Sequence, residues 1–137
     1  MTGKVQEGPG WRREQHGFLS LPLMVRPNSV IALGAVDHRP DYDYAENVTF
    51  RIFELSEGSE ANCWISSPSR AAADHLTVRR TGKRVTATFS GENSSAWRLQ
   101  LAGIPRVETR EGLQTAADPF GVIIQPPFGG KQLEFEI

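Results

Sequence analysis

The chain has one cysteine, Cys63, among 137 residues. That excludes an internal disulfide and any zinc site built from several thiolates. An excess of either charge is also lacking, since 15 Lys and Arg stand against 16 Asp and Glu. Neither sign gathers into a run, so there is no basic track for nucleic acid and no acidic tail. No apolar stretch approaches the ~20 residues of a membrane-spanning helix, and the opening residues MTGKVQEGPG hold no apolar segment of the signal-peptide kind. A soluble, cytoplasmic protein with no nucleic-acid and no membrane partner is the expectation. A sustained 3.6-residue period is missing too, and only 69–74 could form a helical turn.

What is present is a repeated alternation of period two. Val48, Phe50 and Ile52 alternate with Thr49 and Arg51, Leu76 and Val78 with Thr77 and Arg79, and Val85, Ala87 and Phe89 with Thr86 and Thr88. Trp97, Leu99 and Leu101, then Leu133, Phe135 and Ile137, repeat the pattern. Each run reads as a half-buried strand, and residues 78–89 read as a hairpin around Thr81-Gly82-Lys83. Strands with one apolar face each, closely spaced, are best satisfied by two antiparallel sheets packed face to face. The fold class expected is an all-β, antiparallel two-sheet β-sandwich. Residues 1–36 differ: apolar runs at 19–25 and 30–33, broken by Arg26-Pro27-Asn28-Ser29, suit strands buried on both faces. They read as the tail of a preceding sandwich, with 37–137 forming the distal one.

The stretch DHRPDYDYAENVTF, residues 37–50, gathers four carboxylates, a His, an Arg and two Tyr before the first clear alternation. A calcium loop beginning at Asp41 fails, because Glu46 falls where the glycine belongs and Ile52 where the bidentate Glu belongs. Asp37 and His38 point to opposite sides of an extended chain, so a metal site with Asp41 is not expected. Any two of Asp37, Asp41, Asp43 and Glu46 could approach the ~5 Å of a retaining glycosidase pair, but nothing supplies the apolar pocket that separates two carboxyl pKa values. The plainer reading makes Asp37, Arg39, Pro40 and Asp41 an inter-domain linker, with Tyr42 and Tyr44 in phase with Val48 and laid over the edge of the core. His16, Ser20 and Asp41 are of triad types, yet no Gly-x-Ser-x-Gly elbow presents Ser20. No catalytic residue, metal ligand or cofactor is therefore expected in this chain.

The aromatics sort by phase. Trp97 shares a face with Leu99 and Leu101 and belongs in the core. Ala61, Cys63 and Ile65 define one face of a strand, which makes Cys63 a small buried hydrophobe and turns Trp64 outward with Asn62. Flat rings on β-sandwiches stack against sugar C–H faces, so Trp64, Tyr42 and Tyr44 are the candidate carbohydrate contacts. His75, beside Asp74, reads as a surface residue, and Pro119-Phe120 and Pro126-Pro127-Phe128 as loop braces.

Residues 10–55 resemble a stretch of glycoside hydrolase family 31 enzymes, especially α-xylosidases. The motifs are Trp11, Gln15-His16-Gly17-Phe18, Leu21-Pro22, Val25-Arg26, Ala32-Leu33-Gly34 and Arg39-Pro40-Asp41-Tyr42. The remainder, 56–137, is similar more loosely, in strand spacing, around Cys63, at Arg80-Thr81-Gly82 and at Trp97. In that family the stretch leaves the β-sandwich after the catalytic barrel and enters the terminal one. The resemblance implies retaining hydrolysis of α-linked xylosides by two aspartates on an upstream barrel that is no part of these residues. It implies a non-catalytic C-terminal region that supports fold and assembly. Its partners would be the catalytic barrel or a neighbouring subunit. The alternative is an independent carbohydrate-binding module that takes xylosyl oligosaccharides on an exposed aromatic such as Trp64.

Overall fold

Period-two alternation becomes ten strands in a computed structural model that describes residues 5–20, 23–66, 71–90, 96–109, 113–127 and 129–137. They are β1 (Ser29–Leu33), β2 (Thr49–Phe53), β3 (Glu60–Ile65), β4 (Asp74–Thr81), β5 (Arg84–Phe89), β6 (Arg98–Ala102), β7 (Glu108–Thr109), β8 (Gln114–Ala116), β9 (Gly121–Gln125) and β10 (Gln132–Glu136). No helix occurs among the described residues, and hence none long and apolar enough to cross a membrane. Residues 71–74 form no helical turn, and 69 and 70 lie outside the described set.

The strands form two five-stranded sheets, ordered β1-β2-β6-β9-β8 and β3-β4-β5-β10-β7. All pairings are antiparallel except β2 with β6, where Phe50 lies level with Leu99 and Ile52 with Leu101 in parallel. The all-β sandwich expected from the alternation is what forms. The β4–β5 hairpin turns at Gly82, whose φ of +61° suits a residue without a Cβ.

The inward faces carry the core. Val48, Phe50 and Ile52 meet Leu76, Val78, Val85, Ala87 and Phe89 across the sandwich, with Leu99, Leu101, Val122, Ile124, Leu133 and Phe135 filling the rest. Each Val, Leu, Ile or Phe of this set contributes about 1.5–3 kcal/mol by leaving water. Phe50, Phe89 and Trp97 form an aromatic triangle with centroids 5.5, 5.6 and 6.3 Å apart, joining the sheets near the start of β6. Trp97 is fully buried and its Nε1–H donates to the carbonyl of Gly130 at 2.9 Å.

Residues 30–33, expected to close a different sheet, lie in β1 at the edge of the first sheet, paired along β2 from Ser29↔Phe53 to Leu33↔Thr49. Asn28 prepares this pairing. Its φ is +59°, its N–H donates to Phe53 O, and its Oδ1 accepts from Ser56 N–H and Ser59 Oγ. Before it, Trp11, Phe18, Leu19, Leu23 and Met24 are exposed, while Leu21 and Pro22 fall outside the described residues.

Candidate binding face

The outward residues of β3 and β4 pair in register as Glu60↔Arg79, Asn62↔Thr77 and Trp64↔His75. Alternation forces this, because Ala61 and Ile65 are held in the core and the residues between them must turn out. At one end Arg79 donates two hydrogen bonds to Glu60 Oε2, at 2.6 and 3.1 Å, and Asn62 Nδ2 donates to Glu60 Oε1 at 3.1 Å. These bonds, that of Asn62 first and that of Arg79 second, hold the Glu60 carboxyl below the usual carboxylate range. In the middle, Asn62 Oδ1 accepts from Thr77 Oγ1 at 2.9 Å and from His75 Nε2 at 3.0 Å. An amide oxygen only accepts, so His75 carries its proton on Nε2 when neutral.

At the other end the Trp64 indole stacks on the His75 ring, with centroids 4.5 Å apart and planes 9° from parallel. Trp64 is 64% exposed. Its outward direction was readable from Ala61 and Ile65; its partner was not, because the connection after β3 is too long to fix a register. Arrayed beyond this ladder on the same face are Thr88 and Thr86 of β5 and Gln132 and Glu134 of β10. The arrangement offers a flat apolar ring braced by a hydrogen-bonded imidazole beside amide and hydroxyl groups, which is the equipment for binding rather than for proton transfer.

The other sequence candidates lie elsewhere. Tyr42 and Tyr44 meet edge to face, with centroids 4.9 Å apart. Tyr44 Oη donates to the carbonyl of Pro40 at 2.7 Å, and the Tyr42 hydroxyl lies over Gly34, where an added Cβ would overlap it. Both rings are half-buried, against Pro40 and Gly34. Asp37, Arg39, Pro40 and Asp41 are exposed, and Asp37 lies 3.7 Å from His38. Asp43 caps the turn through Ala45 N–H at 3.1 Å. His16 turns to Glu14 at 3.1 Å and Ser20 Oγ donates to Gly17 O at 3.0 Å, so neither is engaged as a triad member. Among the described residues, no three His, Cys, Asp or Glu side chains converge as metal ligands.

On the outer face of the first sheet, Gln100 is buried, a feature the alternation hides. Its Oε1 accepts from Arg51 Nε at 2.7 Å and its Nε2 donates to Asp118 Oδ1 at 2.6 Å, while the Arg51 guanidinium lies 4.5 Å from the centre of the Phe120 ring.

Residues 43–137, β2 to β10 with the turn before them, match the family described as the C-terminal domain of the alpha-xylosidase YicI. The chain belongs to this family. Among curated proteins, the alpha-xylosidase XylQ of Lactiplantibacillus pentosus is 26% identical over 91 residues, which covers 64% of this chain and 12% of XylQ. The chain thus spans a small part of the length of that relative. The family match includes the Trp64 ladder, Cys63 and Tyr44, and leaves Tyr42 and β1 outside.

Cys63 is half-buried between Ala61 and Ile65. Burial pushes its thiol up, against a smaller opposing contribution from a main-chain hydrogen bond at Ala32. A folded-state value above the unfolded one favours the protonated thiol. Its contribution to stability is therefore complete below the ordinary thiol pKa and is lost as pH rises through the folded value. Iodoacetamide at pH 8 is expected to alkylate Cys63 more slowly in the native chain than in urea, as followed by mass spectrometry. Equal rates would show that the thiol is not shielded.

Proposed function

We propose that the chain is the non-catalytic C-terminal β-sandwich region of an α-xylosidase-like enzyme of glycoside hydrolase family 31, where it supports fold and assembly. The observation that carries this reading is the family match over 43–137, set beside a relative of which the matched part is only 12%. The substrate of the whole enzyme would be an α-linked xyloside, hydrolysed with retention by carboxylates outside this chain. Its location would be cytoplasmic, in keeping with a lone unpaired cysteine.

The partner in this reading is the catalytic barrel or a neighbouring subunit. Trp11 and Phe18 are about as exposed as in an extended chain, at 104% and 103%, and Leu19 stands at 96%. Apolar rings in that state support a role in packing on a neighbour. The division would fall after residue 36, with β1 carried across it to complete the edge of the distal sheet.

The test has two parts. The purified chain is expected to release no nitrophenol from p-nitrophenyl α-xyloside, and turnover that follows the chain through every purification step would overturn the non-catalytic reading. Grafted onto XylQ in place of the matching region, the chain is expected to restore a folded, active enzyme, whereas the enzyme deleted of that region loses thermal stability. Unchanged stability after deletion would refute the supporting role.

A further inference from the structure

We propose that the free face of Trp64, at the outer edge of the second sheet, is a binding site for a terminal xylopyranosyl unit. The proposal goes beyond the supporting role and does not depend on it. β3 is the edge strand of its sheet, with β4 on one side. Ser90 N–H donates to the carbonyl of His75 at 2.8 Å, so the main chain of His75 faces β5. In an antiparallel ladder both main-chain groups of a residue point the same way and successive residues alternate. Trp64 and His75 are therefore a pair without mutual main-chain hydrogen bonds, and the Trp64 N–H and C=O point away from β4, at an edge that pairs with no further strand although β1 of the facing sheet lies near it. The bond from Arg80 N–H to Ser59 O agrees, since it makes Ser59 and Arg80 a hydrogen-bonded pair and leaves Glu60, Asn62 and Trp64 in the other phase.

The ring follows the same direction. Paired strands lie about 4.8 Å apart, and the two rings are parallel with centroids 4.5 Å apart. They stand side by side across the gap between the strands, so the second face of the indole looks outward past the edge. The result is a flat π surface bordered by one main-chain donor and one acceptor. His75, tied to Asn62, fixes the ring plane. A pyranose meets these demands with an apolar C–H face for the indole and equatorial hydroxyls for the donor and acceptor. Xylose, which lacks an exocyclic hydroxymethyl, brings the least bulk to a ring standing close to the main chain. It is also the sugar named in the alpha-xylosidases that the chain resembles.

The test is an amide and indole NMR titration of the 137-residue chain with xylose, isoprimeverose and, for comparison, glucose. A single platform implies dissociation constants on the order of millimolar. The expected result is saturable movement of the Trp64 Nε1–H and His75 ring signals by both xylosides, with glucose at least several-fold weaker. Trp64→Ala should abolish it while the spectrum stays dispersed, Trp64→Phe should weaken it several-fold, and Trp11→Phe should leave it intact. His75→Ala, which frees the ring plane, should weaken binding, as expected of a positioning residue. Silence up to about 50 mM, or shifts that survive Trp64→Ala, would overturn the site and leave the supporting role standing. Equal response to glucose would overturn the xylosyl assignment, and shifts seen only on adding an extended peptide would make the edge a docking strand for protein.

Discussion

Trp97→Ala is expected to lower the stability of the chain by about 3–5 kcal/mol, the range for removing a buried Trp or Phe. The ring is fully buried, touches both Phe50 and Phe89 and satisfies the carbonyl of Gly130 through Nε1. Truncation would open a cavity between the sheets and strand that carbonyl, and the second loss adds about 1 kcal/mol or more. Domains of this size hold about 5–15 kcal/mol in all, so about a fifth or more of the total goes with one side chain. Urea unfolding followed by far-UV circular dichroism measures this without relying on the deleted indole. Trp97→Phe should sit between the two, keeping most of the packing but losing the bond to Gly130. A midpoint for Trp97→Ala within about 1 kcal/mol of the wild type would show that the triangle is not what joins the sheets.

Gly121→Ala is expected to cost at least about 3 kcal/mol by combining two penalties at one position. At the start of β9 the φ of Gly121 is +133°, a conformation that L side chains rarely adopt. A Cβ there would also stand 1.8 Å from the carbonyl oxygen of Leu101. The obstacle is main chain of the adjacent strand β6, so the relief must come from parting β6 and β9 around Ala102↔Gly121. Gly58→Asn is the matched control: its φ is +71° and nothing lies within 4 Å of the added carbon. Asn tolerates the left-handed region, so the control should cost less than about 1 kcal/mol. Comparable losses for the two variants would mean that the close approach to Leu101 is not what requires glycine at 121.

The inward faces of β2, β4, β5, β6 and β10 were legible because each alternates cleanly over its length. Phase alone assigned Trp97 to the core and Trp64 to the outside. β9 was not legible, since Val122, Ile123 and Ile124 are three apolar residues in succession and period two cannot choose between faces there. Gln100 occupies a polar position in its alternation, yet it is buried because Arg51 of β2 and, from the turn before β9, Asp118 and Phe120 close over it. Val30 to Leu33 were correctly read as strand, but an apolar run does not name its neighbour, and the edge of β2 was the one available. The parallel direction of β2 and β6 is likewise invisible to a pattern that is the same read in either direction.

That parallel pair has a consequence for how the molecule comes apart. The chain passes between the sheets after β2, β5, β6, β7 and β9, so each sheet is stitched through the other. β2 and β6 are neighbours in one sheet, yet the chain between them forms β3, β4 and β5 of the other. Neither layer is a contiguous segment that could persist after the other is lost. The unit of cooperativity is therefore the whole interleaved pair, and a local loosening of one sheet is felt at once in the other.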